Sequence, residues 1–153
     1  MPQTVYLTHL YDHPAALVWQ VVTDLDCLKQ VTSSLLTYRS LPSGQIYEGQ
    51  ELLVDVSLFG KLPYQPYLMK VVRFDPERFY FQSSESGAGV KSWKHKLQVT
   101  AINGHSRIDE RIEIDAGLKT PLFKAWARFM YQRRHQPRLD ILKSLSPEKA
   151  IKL

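Results

Sequence analysis

Apolar and polar residues alternate most cleanly over residues 90–102 and 106–115. Trp93, His95, Leu97 and Val99 take every second position in the first run, and Ile108, Glu110, Ile112 and Ile114 do so in the second. Asn103-Gly104 lies between them and is a strong short-range hairpin signal. A two-residue loop sets Ile102 against His105, Val99 against Ile108, Leu97 against Glu110, His95 against Ile112 and Trp93 against Ile114, all on one face. The other face then pairs Lys94 with Glu113, Gln98 with Asp109 and Thr100 with Arg107, as water-exposed cross-strand neighbours do. Two independent patterns thus support one register.

The rest of the chain reads more coarsely. Residues 4–11 are rich in β-formers and read as a strand. Asp12-His13-Pro14 stops it; Asp12 or His13 can cap a helix, and Pro14 is tolerated in a first turn. Leu17, Val18, Val21 and Val22 share one face of a helix over residues 14–22, and Asp24 or Asp26 caps a second short helix through Val31. Strands follow over 35–41 and 51–59, the latter with Leu52, Val54, Val56 and Leu58 on one side. Residues 60–66 form a loop. Strands 67–74 and 79–84 flank Asp75-Pro76-Glu77-Arg78, a strong turn. Their inward face stays open: Leu68, Val72, Phe74, Phe79 and Phe81 favour one side, Met69, Val71 and Tyr80 the other. Ser86-Gly87-Ala88-Gly89 marks another reversal. From Pro121 a helix carries an apolar stripe of Leu122, Phe123, Trp126, Phe129 and Met130, with Lys124, Arg128, Gln132 and His135 opposite. Pro137 is predicted to kink or interrupt it, Leu139, Leu142 and Leu145 continue it to about Ser146, and residues 146–153 read as a flexible tail.

This order predicts an α+β fold: one edge strand, two short helices, six further strands and a closing helix. A strongly curved antiparallel sheet wrapped around a long C-terminal helix leaves a gap between them, and an apolar gap is a pocket for an apolar molecule.

Composition narrows the class. A chain of 153 residues is one domain by size and long enough to bury a core. With 44% hydrophobic and 23% charged residues it is an ordinary soluble globular composition. No stretch approaches the roughly 18 apolar residues of a membrane span, and the first residues lack the basic start and apolar block of a signal peptide. A single cysteine, Cys27, leaves no internal disulfide and suits a reducing compartment. The expected location is the cytoplasm. The net charge of +5 is uneven: from Lys119 onward nine Lys and Arg stand against Asp140 and Glu148, leaving +7 there and −2 elsewhere. That asymmetry fits a solvated face on the last helix. Its rival is docking of Lys124, Arg128, Arg133, Arg134 and Arg138 on an anionic membrane or protein partner. No basic block with interleaved aromatics recurs, so nucleic-acid binding is not expected.

The segment His13-Pro14-Ala15-Ala16-Leu17-Val18-Trp19-Gln20-Val21-Val22-Thr23-Asp24 resembles the first-helix signature of the START-like, or SRPBCC, superfamily. Tyr131-Gln132-Arg133-Arg134-His135 followed by Leu139-Asp140-Ile141-Leu142 is similar to the closing helix of its small bacterial polyketide cyclase/dehydrase-like branch. The likeness spans essentially the whole chain, as one ligand-binding domain over residues 1–153. It implies the helix-grip fold, shared with the birch-pollen-allergen class, and a cavity for lipids, polyketides, quinones or aromatics. It implies no catalytic residue set.

Inward-facing polar residues are the informative candidates, because a buried polar group needs a partner. His95 and Glu110 sit diagonally on the inner face of the best hairpin, within side-chain reach. They are candidates for orienting a ligand hydroxyl, for acid–base chemistry of a cyclase or dehydratase, or simply for satisfying each other. Trp93, Leu97 and Ile112 share their face, and Phe123, Trp126 and Met130 approach from the helix. Phe59, Tyr64 and Tyr67 sit on or beside the 60–66 loop, which reads equally as a gate over one cavity end and as an ordinary proline-stiffened loop. Cys27 has no neighbour pattern of a nucleophile. Phosphate-cradling loops, nucleophile elbows and Cys-x-x-Cys are absent, and the five histidines lack metal spacing. Neither a metal nor a cofactor is expected, and the reading favours ligand binding over catalysis.

Overall fold

The computed structural model describes residues 2–145; the tail expected over 146–153 lies outside the described residues. Seven strands occur in chain order: β1 (Gln3–Tyr11), β2 (Leu36–Arg39), β3 (Glu51–Leu58), β4 (Gln65–Asp75), β5 (Tyr80–Gly87), β6 (Val90–Ile102) and β7 (His105–Asp115). Helices α1 (Ala15–Val22) and α2 (Leu25–Thr32) connect β1 to β2, and α3 (Thr120–Gln132) and α4 (His135–Leu145) close the chain. The strands form one antiparallel sheet in the order β1-β7-β6-β5-β4-β3-β2. Curled into a half-barrel around the bent final helix, it is the helix-grip architecture expected from the order of patterns.

The β6–β7 register is the one derived from Asn103-Gly104, from Ile102 against His105 to Trp93 against Ile114. Asn103 and Gly104 both adopt positive φ, as a two-residue hairpin turn requires. Trp93, His95, Leu97, Val99, Ile108, Glu110, Ile112 and Ile114 are all buried.

The β4–β5 hairpin shows why its inward face is ambiguous in the sequence. A bulge between Val71 and Arg73 shifts the pairing by one residue. Before it, Tyr67, Met69 and Val71 point inward; after it Phe74 does, paired with buried Phe81, while Val72 is exposed. A one-residue slip changes faces, so neither single alternation describes the strand.

Asp24 caps α2 by accepting from the Cys27 backbone N–H at 3.0 Å. For α1 the expected side-chain cap is not made: Pro14 itself takes the N-cap position, in extended conformation. The final helix does carry the break expected from Pro137. It is interrupted at Arg133–Arg134, and Pro137 lies inside the first turn of α4. A proline crowds the carbonyl four residues before it, which here is that of Arg133, so the break falls one turn ahead of Pro137.

Two apolar clusters fill the interior. One surrounds Trp19, which meets Phe74, Phe79 and Phe81, and is closed by Ile141 and Leu142 of α4. The other joins Val5, Ile112 and Ile114 of the sheet to Ala127 and Met130 of α3. Thus α3 seats firmly on β1 and β7, and its opposite flank faces β2 to β5 across a gap.

Candidate functional site

That gap is a cavity of about 360 Å³, within the range of small-molecule sites. Phe123, Trp126 and Met130 of α3 form its roof, and Val90 and Trp93 of β6 its floor. Leu36, Val56 and Leu58 supply the side wall, exposed Leu62 and Pro63 stand toward the mouth, and the Tyr67 hydroxyl turns inward to Glu85. Trp93 does not stack on Trp126 and so does not close the space. It stacks instead on Tyr131, with ring centres 6.2 Å apart, and its indole N–H donates to the Tyr131 hydroxyl at 3.3 Å.

A smaller chamber of about 90 Å³ lies deeper, between α2 and the sheet, bounded by Leu25, Val31, Met69, Val71, Phe81 and Leu97. Four side chains border both chambers: Tyr38, Glu85, Tyr131 and Arg134. Glu85 accepts from the Tyr67 hydroxyl at 2.9 Å and from the Ser83 hydroxyl at 2.8 Å. Burial, and then the Glu85 charge, push the Tyr67 hydroxyl well above its ordinary pKa. Burial likewise raises Tyr38 and Tyr131. All three phenols are therefore neutral hydrogen-bonding groups at physiological pH.

His95 and Glu110 do meet, with Nε2 and Oε2 2.6 Å apart. Arg138 donates to the other carboxylate oxygen at 3.3 Å. Burial alone would raise the Glu110 pKa, but the Arg138 charge, followed by the hydrogen bond and charge of His95, outweighs it and holds the carboxyl below the usual carboxylate range. The same ion pair outweighs the effect of burial on Arg138 and raises its pKa. Glu110 is thus a fixed anion tying α4 to the sheet. It borders neither chamber, whereas His95 borders the smaller one.

The other sequence candidates are placed as follows. Trp93, Tyr67, Phe123, Trp126 and Met130 line the large chamber and Leu97 the small one. Ile112 is fully buried in the second core cluster and lines neither. Phe59 lies outside, half-exposed, its ring edge-on to Trp126 at 6.1 Å. Tyr64 sits beneath the Arg39 guanidinium, 3.5 Å from its ring centre.

The basic surface read along the last helix needs correction. Arg134 and Arg138 are buried, at 6% and 4% exposure, and face the sheet. Among the five basic residues only Arg128 and Arg133 are fully exposed, with Lys124 intermediate. The apolar stripe is also rotated: Leu122 and Phe129 are exposed, and Ala127 and Tyr131 are buried in their stead. His135 packs against His9, ring centres 5.0 Å apart, and does not face solvent freely. Tyr38, Glu85, Tyr131, Arg134 and Arg138 are the site residues that sequence reasoning missed. For the last three a signal existed: Tyr131, Arg134 and Arg138 are spaced three and four apart, as one face of a helix requires.

Among the described residues no helix is long and apolar enough to cross a membrane, and no cluster of potential ligands has the makings of a metal site.

The fold is shared widely. Ara h 8.0201 superposes with a TM-score of 0.71 at 14% identity, covering 94% of this chain and 99% of that one. A START superfamily protein from Mycobacterium smegmatis gives 0.71 at 11% identity, with the same coverage of 94% and 99%. The Zhui aromatase/cyclase from Streptomyces sp. R1128 gives 0.63 at 14% identity, covering 92% and 90%. At such identities the likeness is one of fold, and the fold is the START/Bet v 1 helix-grip. No curated protein sequence matches the chain. A family profile described as "Domain of unknown function (DUF8410)" matches residues 11–140, and the chain belongs to that family.

Proposed function

We propose that this DUF8410 member is a single-domain binding protein for a hydrophobic or amphipathic small molecule, held between α3 and the sheet. The observation that carries this reading is the cavity of about 360 Å³ roofed by Phe123, Trp126 and Met130. Aromatic and Met side chains offer large contact area with adaptable shape. A ligand burying about 300 Å² of apolar surface there gains on the order of 7 kcal/mol before the costs of association. The ligand-binding residues of the proposal are Trp93, Tyr67, Phe123, Trp126 and Met130 in the large chamber, with His95 and Leu97 below. The partly buried lone thiol of Cys27 is in keeping with a reducing, cytoplasmic setting.

Acid–base catalysis by His95 and Glu110 finds less support. Both Glu110 oxygens are engaged, by His95 and by Arg138, and neither faces the cavity. A general base needs an oxygen within reach of the substrate proton.

The test is titration of the purified protein with the neutral fluorophore N-phenyl-1-naphthylamine. Saturable, blue-shifted emission at one site per chain is expected, together with native mass spectrometry of a retained small molecule. Emission that never saturates would remove the reading.

A further inference from the structure

Arg134 is the one feature of this cavity that an apolar guest leaves unexplained. Its side chain is buried, yet its Nε has no hydrogen-bond partner. Among the described residues no carboxylate lies within the 4.0 Å of an ion pair with it. Arg138, one turn further on, is by contrast matched to Glu110. The Arg134 guanidinium rests 4.1 Å from the Tyr131 ring centre and borders both chambers where they join. A buried cation without a partner is costly, and stacking on an aromatic face offsets only part of that cost.

Around it stand donors with protons to give. Tyr131 accepts from Trp93, which leaves its own hydroxyl hydrogen for another acceptor. Tyr38 borders the same junction. The one anion at the junction, Glu85, is already held by Tyr67 and Ser83. Resting on the binding function proposed above, the geometry points to an amphipathic guest ending in a carboxylate. Its apolar body would lie under α3, and its two oxygens would meet Arg134 and the Tyr131 hydroxyl at the junction. A guanidinium is shaped to hold such a group through two parallel hydrogen bonds.

The experiment compares displacement of N-phenyl-1-naphthylamine by dodecanoate and by dodecan-1-ol, which differ only at the polar end. Wild-type protein should bind dodecanoate at least roughly tenfold more tightly, the scale of a hydrogen bond to a charged group. In Arg134→Gln the ratio of acid to alcohol affinity should fall to about one, and Arg134→Lys should restore part of it. Glu85→Gln, which removes a nearby like charge, should raise the ratio of acid to alcohol affinity. Equal affinity for acid and alcohol in the wild-type protein, a comparison that needs no variant to fold, overturns the carboxylate inference and leaves the binding function standing. Failure of the fluorophore and of both competitors to bind overturns the binding function, and this inference with it.

Discussion

His95 and Glu110 lie on neighbouring strands but not opposite each other, and still approach to 2.6 Å. Leu97 faces Glu110 and Ile112 faces His95. The two polar side chains therefore reach diagonally across the inner face, and Arg138 closes the group from α4. What looks like a dyad along the sequence is a three-membered buried clamp between sheet and helix.

Removing one member should cost more than removing the charged pair. Arg138→Met removes the cation paired with Glu110, leaving His95 as the partner of a buried carboxylate, and should destabilise by about 3–5 kcal/mol. Adding Glu110→Leu to it should recover a good part of that loss, since an apolar replacement of a buried pair is often close to neutral. Urea unfolding of both single variants and the double variant measures this. Simple addition of the two single losses would contradict it.

Cavity shape should govern affinity separately from stability. Met130 roofs the large chamber, and Met130→Trp places a larger apolar group in empty space. Fluorophore affinity should fall at least roughly tenfold while stability falls by no more than about 1–3 kcal/mol, the usual cost of a larger side chain in a packed core. Unchanged affinity in a folded variant would place the guest elsewhere.

Stability should decline on acidification in two windows. Burial, followed by the nearby Arg138 charge, lowers the pKa of both His9 and His135 from the ordinary 6.5. As pH falls through that value the unfolded chain takes up protons that the folded one resists, so stability drops below about pH 6.5. Glu110 adds a second loss: folded, it stays ionised below its ordinary 4.5, so acid favours the unfolded chain from there downward. Melting temperatures from pH 8 to about 2.5 record both. The double variant His9→Gln/His135→Gln should flatten the upper window and leave the lower one.

The turn between β5 and β6 should tolerate no side chain at Gly87. Its φ is +118°, and a Cβ there would strike the Pro66 carbonyl oxygen. Gly87→Ala should destabilise by roughly 1–3 kcal/mol, read by thermal melting. Gly44→Ala, also at positive φ but with open space around it, pays for backbone conformation alone and should cost less.

How much of this was legible in the sequence depended on whether a local rule was obeyed. Asn103-Gly104 and strict alternation place Trp93, His95, Leu97 and Glu110 on one face without any coordinates. The β4–β5 hairpin hides its inward face because the bulge at Val72 splits one strand into two opposite phases. The charged half of the cavity stayed hidden for another reason. Arginines on a terminal helix read as solvent-facing, and only the three-and-four spacing of Tyr131, Arg134 and Arg138 opposes that habit. Glu85 sits on a short strand of mixed polarity, where alternation carries little information. The empty space itself has no sequence signature, since cavity-lining and core residues are drawn from the same apolar set.

The break at Arg133–Arg134 divides the closing helix into two rods with different attachments. α4 is bolted to the sheet by a buried ion pair, whereas α3 is held mainly by apolar contact along one flank and borders the cavity along the other. The two rods therefore answer to different changes, α4 to loss of its ion pair and α3 to loss of apolar packing. The unpaired Arg134 guanidinium sits at the crease between them.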